Sequence, residues 1–190
     1  MMLPADTTIY LARHGQSEWN NQKRVSGQGD PGLSPKGTEQ SMALAACLGN
    51  RKLSAIFASG LQRTVHTARP TALVQGLPVL SCDELNEIHM GILQGRFRDE
   101  RDPEAMRLWE EWKDNPAERR VPGGETYPEL RHRVLECLDS ILRKNAGGSV
   151  LIVGHRGTNR ILCATLMGWP ESRGMALRLP RRDDLSFDEL

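Results

Sequence analysis

The chain has 190 residues, of which 38% are hydrophobic and 26% are charged, and its formal net charge is +1. This length fits one domain with a self-sufficient hydrophobic core. A net charge so close to zero does not indicate a long-range field, so we expect neither nucleic acid nor a membrane surface as a partner. Recognition of anions must then be local and depend on a few arginines that converge on one spot.

The sequence shows no targeting signal of a familiar kind. Its first residues lack a basic start followed by an apolar run and a small-residue cleavage site. No stretch approaches the roughly 18 apolar residues that are needed to span a bilayer. The four cysteines are widely spaced and form no CxxC pair, and they are Cys47, Cys82, Cys137 and Cys163. These features predict a cytoplasmic protein with reduced thiols.

Strands and helices are predicted to alternate from the first residues onward. A β-rich run over residues 7–12 stops at the tripeptide Arg13-His14-Gly15. A polar, glycine-rich stretch over residues 16–32 predicts a loop. A helix is then expected over residues 35–49, with Ser34 as its N-cap and a proline at its first position.

The middle of the chain continues the alternation. A short buried strand is predicted over residues 55–58, followed by a helix from Leu61 that Pro70 is expected to disturb. A third strand is predicted over residues 78–80. Residues 99–115 are polar and helix-prone, and the two tryptophans that they contain are expected to cap the core.

The second half of the chain gives the clearest patterns. Helical spacing of apolar residues predicts a helix over residues 127–145. An apolar run over residues 150–153 predicts a buried strand, which His155 follows closely, and a last helix is expected over residues 158–167. The alternation predicts an α/β protein, a three-layer α/β/α sandwich with a mostly parallel central sheet. We expect residues 1–190 to form one domain.

Polar side chains follow three of the predicted strands at the point where each strand ends. Arg13 and His14 end the first strand, Arg63 comes shortly after the second, and His155 follows the fourth. Ligands of open α/β sheets bind beyond the carboxyl ends of the strands, so we expect these side chains to meet. One histidine at a strand end is usually structural, whereas two histidines and two arginines at equivalent strand ends favour a functional site.

Such a group of side chains is suited to phosphoryl transfer. Arginine forks match the oxygens of a phosphate, and a neutral imidazole is a competent nucleophile toward phosphorus. A second, protonated histidine can donate to a nonbridging oxygen, so that positioning and electrostatics supply most of the rate. Glu87, next to the apolar Ile88 in a turn-rich stretch, is the predicted proton donor to the leaving oxygen.

The segment LARHGQSEWN (residues 11–20) resembles the signature of the histidine phosphatase superfamily, which includes the cofactor-dependent phosphoglycerate mutases. Five further blocks continue the resemblance in the family's order over most of the chain. They are GDPGLSPKG (29–37), SGLQRTVHTA (59–68), LNEIHMGILQG (85–95), PGGETYPELRHRV (122–134) and VGHRGTNRIL (153–162). The resemblance therefore does not depend on the Arg-His-Gly tripeptide alone.

The resemblance implies a role for each residue that matches the family pattern. His14 corresponds to the nucleophile that becomes phosphohistidine. Arg13, Arg63 and His155 correspond to the rest of the phosphate pocket. Glu87 corresponds to the carboxyl group that protonates the leaving oxygen and then deprotonates the water that hydrolyses the intermediate.

Five further residues are expected to bind substrate: Asn20, Arg24, Gln28, Arg156 and Gly157. Asn20 matches a family residue that commonly contacts the phosphate, and Arg24 and Gln28 lie in the loop over the site. A main-chain N–H of Arg156 or Gly157 is expected to reach phosphate oxygens where a helix begins. Arg156 stands where the family often has a small residue. If its side chain points into the cleft it favours a substrate with a second anionic group; otherwise it is a surface arginine.

The remaining candidates are given structural roles. His89 and His132 lack carboxylate or cysteine partners at metal-ligand spacing, and His66 is expected to pack near Arg63, so no metal is predicted. Glu125 and Thr126 are expected to cap the long helix, with Glu125 favoured by the helix dipole. The proposed chemistry requires no organic cofactor.

Hydrolysis of a small phosphate monoester through a phosphohistidine is the function that the sequence favours. Mutases of this family usually carry further segments that enclose the cleft, and 190 residues leave little room for them, so water would reach the intermediate. The alternatives are a phosphoglycerate mutase, because the sequence around Gln94 resembles the mutase form, and a catalytically silent phosphate-binding module. Sugar phosphates, phosphoglycerates, nucleotide-derived phosphates and phosphorylated ribazole all fit as substrates.

Overall fold

The computed structural model describes residues 7–177, in which β-strands and α-helices alternate. The strands are β1 (Thr8–Arg13), β2 (Ala55–Ser59), β3 (Val79–Cys82) and β4 (Ser149–Gly154). The helices are α1 (Glu18–Asn21), α2 (Pro35–Leu48), α3 (Gln62–Gln75), α4 (Pro103–Asp114), α5 (Tyr127–Lys144), α6 (Arg156–Leu166) and α7 (Glu171–Ala176). Two short 3-10 helices, at Asp83–Leu85 and Gly91–Leu93, follow β3.

The four strands form one sheet in the order β1-β4-β2-β3, and all neighbours run parallel. Strand β4 therefore lies between β1 and β2. The register aligns Arg13 with Gly154 and Ala58 with Val153, so the carboxyl ends of these three strands meet at one edge. Every residue of β2 is buried, as parallel strands covered on both faces require.

Helices cover both faces of the sheet, and alternate strand residues separate two hydrophobic clusters. Ile56 and Leu151 point toward α2 and α3, where they pack with Leu48 and Ala68. Phe57 and Ile152 point to the other face, toward the apolar side of α5. The predicted α/β class with three layers is confirmed.

Helix α3 runs through Pro70, and the predicted disturbance at this residue is wrong. A proline removes one main-chain donor, but Ala68 and Thr71 on either side are fully buried against the sheet and hold the helix in place. The helix ends instead at Gly76, whose φ of 65° is the left-handed conformation that glycine adopts without strain.

Two short helices lie where no helix was predicted. Helix α1 falls inside the expected loop over residues 16–32 and is held by a reciprocal cap between Ser17 and Asn20. Helix α7 covers only six residues after Pro170. No helix in the described range is long and apolar enough to cross a membrane. The prediction of one domain also includes residues 1–6 and 178–190, which lie outside the described range.

Candidate active site

The predicted phosphate-binding side chains meet at the edge where β1, β2 and β4 end. His14 follows β1, His155 follows β4, and their ring centroids are 5.1 Å apart. Arg63, in the first turn of α3, places Nη2 3.2 Å from His155 Nδ1. Arg13 lies near enough for its charge to lower the pKa of both histidines. The rule that parallel strands end at one edge thus brings together four residues that are distant in sequence.

The ring of His14 is held with one nitrogen protonated and the other free of its proton. Its Nδ1 lies 2.7 Å from the carbonyl oxygen of Gly15, which can only accept a hydrogen bond. Nδ1 therefore carries the proton and Nε2 carries the lone pair. Burial, followed by the charges of Arg13 and Arg63, lowers the pKa of His14 well below its usual value. The ring is thus a neutral imidazole, which is the nucleophilic form.

The loop that carries His14 is pressed against the start of α2. A Cβ atom at Gly15 would lie 2.5 Å from the carbonyl oxygen of Gly37, and a Cβ atom at Gly37 would lie 2.0 Å from that of Gln16. The N–H of Gly15 donates to Thr67 Oγ1 on α3 at 3.0 Å. Two glycines and one threonine therefore fix the main chain on which the imidazole is mounted.

His155 has the opposite tautomer. Because the guanidinium of Arg63 can only donate, His155 Nδ1 accepts, and Nε2 carries the proton that it donates to Ser59 Oγ at 2.8 Å. Ser59 Oγ lies 2.8 Å from Thr64 Oγ1, which in turn donates to the carbonyl of Leu61 at 2.7 Å. All the side chains of this chain of donors are buried. Burial and the charge of Arg63 lower the pKa of His155, so its ring is neutral.

Arg63 is a fully buried cation whose hydrogen bonds go mainly to uncharged groups. Nη1 donates to the carbonyl of Gly29 at 2.6 Å and Nη2 to that of Gly27 at 2.8 Å, whereas Asp30 Oδ1 is 3.9 Å away. Nε has no hydrogen-bond partner among residues 7–177. Burial lowers the pKa of this guanidinium. A buried charge is costly without a compensating partner, and the main-chain carbonyls of Gly27 and Gly29 compensate this one only in part.

The side chain of Glu87 lies at the N-terminus of α6, the helix that begins directly after His155. Its Oε2 accepts from the N–H of Gly157 at 3.1 Å, and its Oε1 accepts from the N–H of Ile88 at 3.0 Å. A Cβ atom at position 157 would come within 2.4 Å of Oε1. The N–H of Gly157, expected to bind phosphate, therefore donates to Glu87 in this structure.

The loop over the site uses Arg24 to hold itself together. Arg24 donates to the carbonyl of Gly95 at 2.7 Å and to Gln22, and its guanidinium carbon lies 4.0 Å from the centre of the Phe97 ring. Arg101 stacks on Phe97 at 3.9 Å. The structure thus engages Arg24 in the loop instead of directing it at the histidines.

Three other predicted substrate contacts have different surroundings. Asn20 accepts the N–H of Ser17 through Oδ1 as part of the cap of α1. Gln28 donates from Nε2 to the main-chain carbonyl of Glu87 at 3.1 Å. Arg156 is exposed at the first position of α6, and its charge lowers the pKa of Arg160, one helical turn further along, after the larger effect of burial.

Of the two residues expected to cap α5, Thr126 does so and Glu125 does not. Thr126 is the N-cap, and Glu129 accepts the N–H of Thr126 at 2.8 Å in a capping box. Glu125 is bound instead by Arg133 of the same helix, in two hydrogen bonds of 2.7 and 2.8 Å. Sequence reasoning missed this pair because an arginine on the polar side of an amphipathic helix looks like a surface residue.

Of the three described histidines outside the site, His66 is exposed on α3, contrary to the expected packing near Arg63, whereas the other two have ordinary partners. His89 Nδ1 accepts the N–H of Gly91, and His132 lies 3.4 Å from Glu136 one turn along α5. In residues 7–177 no three His, Cys, Asp or Glu side chains converge in an arrangement that suits a metal ion.

Comparison with known proteins assigns the chain to a family. A sequence model of the histidine phosphatase superfamily (branch 1) matches residues 9–186. A probable phosphoglycerate mutase, GpmB of Serratia proteamaculans, is 34% identical over 171 residues, which cover 90% of this chain and 80% of that protein.

Solved structures of phosphatases share the fold. A putative α-ribazole-5'-P phosphatase from Escherichia coli superposes with a TM-score of 0.82 at 26% identity, covering 90% of this chain and 85% of that one. A mycobacterial glucosyl-3-phosphoglycerate phosphatase gives a TM-score of 0.78 at 30% identity, with 88% and 82% covered. The chain therefore belongs to the histidine phosphatase superfamily and is a histidine phosphatase enzyme.

Proposed function

We propose that the protein hydrolyses a small phosphate monoester in two steps, with His14 as the nucleophile. The observation that carries this proposal is the bond from His14 Nδ1 to the Gly15 carbonyl, which leaves the Nε2 lone pair beside the buried Arg63 and His155. Nε2 attacks phosphorus while the bond to the leaving oxygen breaks. The arginines neutralise the charge that spreads over the nonbridging oxygens.

Glu87 acts as the acid in the first step and as the base in the second. In its protonated form it gives its proton to the leaving alcohol oxygen. It then takes a proton from water, the water oxygen attacks phosphorus, and the phosphorus–nitrogen bond breaks to release inorganic phosphate. The position of Glu87 on the N–H of Gly157, next to His155, supports this role.

A bound dianionic phosphate would also change the protonation state of His155. Its low pKa reflects burial and the neighbouring cations, and a bound anion offsets both effects. His155 Nδ1 would then gain a proton and turn from an acceptor of Arg63 into a donor to a nonbridging oxygen. Nε2 keeps its proton and its hydrogen bond to Ser59 Oγ throughout.

We propose further that Arg156 favours substrates with a second anionic group. It is exposed at the start of α6, adjacent to the residue that binds Glu87, and it forms no ion pair with the part of the chain that the structure describes. Like charges one helical turn apart repel each other, and an anion between Arg156 and Arg160 would relieve that repulsion. The names of two relatives, a phosphoglycerate mutase and a glucosyl-3-phosphoglycerate phosphatase, support a substrate that carries a carboxylate.

Phosphoglycerate mutase activity is the second candidate, because relatives that are 34% identical bear that name. The two candidates differ in the fate of the phosphohistidine, which passes to water in a phosphatase and to a second hydroxyl in a mutase. The sequence around Gln94 resembles that of the mutases. Gln94 Oε1 accepts the N–H of Gln28 at 2.7 Å and so supports the loop over the site. This contact is compatible with either reaction.

The test is steady-state release of inorganic phosphate from a panel of monoesters with and without a carboxylate, with conversion of 3-phosphoglycerate to its 2-isomer followed in parallel. We expect release without isomerisation, and a fall of at least about 10⁴-fold in the His14→Ala variant. Arg156→Ala should weaken only the carboxylated esters. His132→Ala, an exposed histidine, is the matched control.

Other outcomes of this experiment have definite meanings. Isomerisation faster than release would make the protein a mutase. Turnover retained by His14→Ala would exclude the covalent mechanism. Equal losses on all esters in Arg156→Ala would exclude a second anion site, and silence of the wild type throughout would favour the phosphate-binding module.

A further inference from the structure

Arg133 and Glu125 lie behind the loop that carries Glu87, and we infer that they form a clamp that positions this carboxyl group for proton transfer. The inference builds on the proposed role of Glu87 as acid and base. Neither clamp residue was expected to take part in the reaction. Both act on the main chain around Glu87 and leave its carboxyl group free to gain and lose a proton.

Every N–H group of the Arg133 guanidinium is engaged. Nε and Nη2 bind the two carboxylate oxygens of Glu125 at 2.7 and 2.8 Å. Nη1 donates to the carbonyls of Glu84 at 2.6 Å and Asn86 at 2.7 Å, and Nη2 also donates to that of Glu87 at 3.0 Å. Such a fork of donors is specific to arginine, because lysine offers one compact ammonium group.

Glu125 holds the other side of the same loop. Its Oε2 accepts the N–H of His89 at 3.2 Å, and its own N–H donates to the carbonyl of His89 at 2.8 Å. The clamp therefore grips the main chain just before Glu87, at Glu87 itself and two residues after it. The carboxyl group between these points is directed at the N-terminus of α6.

The loop that carries Glu87 needs hydrogen-bond donors because it directly follows the 3-10 helix Asp83–Leu85. The carbonyls at the end of a helix have no partner within it and require hydrogen bonds from elsewhere. Arg133 and Thr158 provide them, the latter through bonds of 3.3 Å to the carbonyls of Leu85 and Asn86. The side chains of Arg133 and Glu125 are only 20% and 14% exposed, so water competes weakly for the pair.

The clamp predicts a defect confined to proton transfer. Arg133→Lys keeps the positive charge but loses the fork, so Glu87 would shift relative to the leaving oxygen. A displacement near 1 Å in a catalytic group costs on the order of 100-fold. We expect a loss in kcat of this order for an alkyl phosphate, and a much smaller loss for an aryl phosphate, whose leaving group needs little protonation.

The experiment compares kcat for one alkyl and one aryl phosphate in the wild type, Arg133→Lys, Glu125→Gln and Arg143→Lys. Arg143 is 74% exposed near the end of the same helix and serves as the control, for which we expect no change. Circular dichroism and melting temperature establish that each variant is folded. Glu125→Gln keeps one acceptor oxygen, replaces the other with an NH2 group and loses the charge, and it provides a second variant if Arg133→Lys does not fold.

The ratio of the two losses decides the inference. A loss on the alkyl ester at least about 10-fold greater than on the aryl ester supports a positioning role. Equal losses on both esters, or no loss in either clamp variant, would overturn it. Failure of the proposed function shows itself separately, since the wild type would then release phosphate from neither ester.

Discussion

At the scale of single residues, the two histidines show how fixed partners determine chemistry. A carbonyl oxygen can only accept and a guanidinium can only donate, so His14 and His155 hold opposite tautomers at a centroid distance of 5.1 Å. The ring of His14 thus presents a lone pair at Nε2, and the ring of His155 donates its Nε2 proton to the hydroxyl of Ser59. Both rings are neutral near neutral pH in the ligand-free pocket, because burial and the neighbouring arginines lower the pKa of each histidine.

Removing the hydroxyl of Ser59 tests the tautomer of His155. In Ser59→Ala the Nε2–H of His155 loses its buried acceptor, which should lower the free energy of unfolding by about 1 to 3 kcal/mol. We expect kcat to fall because the ring can then rotate or change tautomer. Urea unfolding and steady-state kinetics measure the two effects, and Ser172→Ala, at an exposed serine, should change neither. Unchanged stability and kcat in Ser59→Ala would show that this hydroxyl does not set the tautomer.

At the scale of elements, the site consists of strand ends and helix starts that approach very closely. Helix α6 begins at Arg156, and the N–H of its second residue, Gly157, holds Glu87. Helix α3 begins one residue before Arg63. At the start of α6, the absence of a side chain at Gly157 leaves space for the carboxyl group of Glu87.

Gly157→Ala separates helix stability from activity. Alanine favours a helix over glycine by up to about 1 kcal/mol, so the melting temperature should stay constant or rise. Its Cβ would lie 2.4 Å from Glu87 Oε1, and we expect kcat for alkyl phosphates to fall because the carboxyl group must move. Gly32→Ala is the control, since a Cβ there meets nothing within 4 Å. Full activity in Gly157→Ala would mean that Glu87 adapts without cost.

The elements that the sequence predicted are those with long or strong patterns. The apolar spacing of α5 gave its start at Tyr127 correctly, and the uninterrupted apolar run of β4 gave a buried strand. Helices α1 and α7 were missed because four and six residues are too short to show a periodicity. Pro70 misled the prediction because burial of its neighbours outweighs one lost hydrogen bond.

The sequence could predict which site residues meet only where they follow the ends of parallel strands. Strand ends predicted that His14, Arg63 and His155 would meet, and the structure brings them together. The contacts of Arg133 could not be predicted, because they go to main-chain carbonyls that any residue type supplies. The engagement of Arg24 with Phe97 likewise depends on how two loops pair in space.

At the scale of the whole molecule, the buried histidines link folding to pH. Each titrates near 6.5 in the unfolded chain but well below it in the folded protein. Below pH 6.5 the unfolded state therefore binds more protons, and stability is lost as the pH falls. We expect a decrease of up to about 1.4 kcal/mol per pH unit for each histidine.

Urea unfolding between pH 7.5 and pH 5.5 measures this decrease, and the wild type is compared with His14→Gln, in which one of the two contributions is removed. The variant should show a shallower slope over the same range. Identical slopes would mean that His14 has the same pKa in both states. An added phosphate that binds the pocket should also reduce the slope, because it raises the pKa of the folded histidines toward the unfolded value.

The order β1-β4-β2-β3 has a consequence for biosynthesis. Strand β4 is the last strand of the described chain, yet it alone joins β1 to β2. A nascent chain that has emerged only as far as α5 therefore has no continuous sheet. It also lacks His155, which faces His14 in the folded protein. Pairing of such distant segments is slow, and the chain remains exposed to aggregation and proteases until it occurs. The enzyme would thus gain its phosphate pocket and its resistance to degradation in the same event, the pairing of β4 with both of its neighbours.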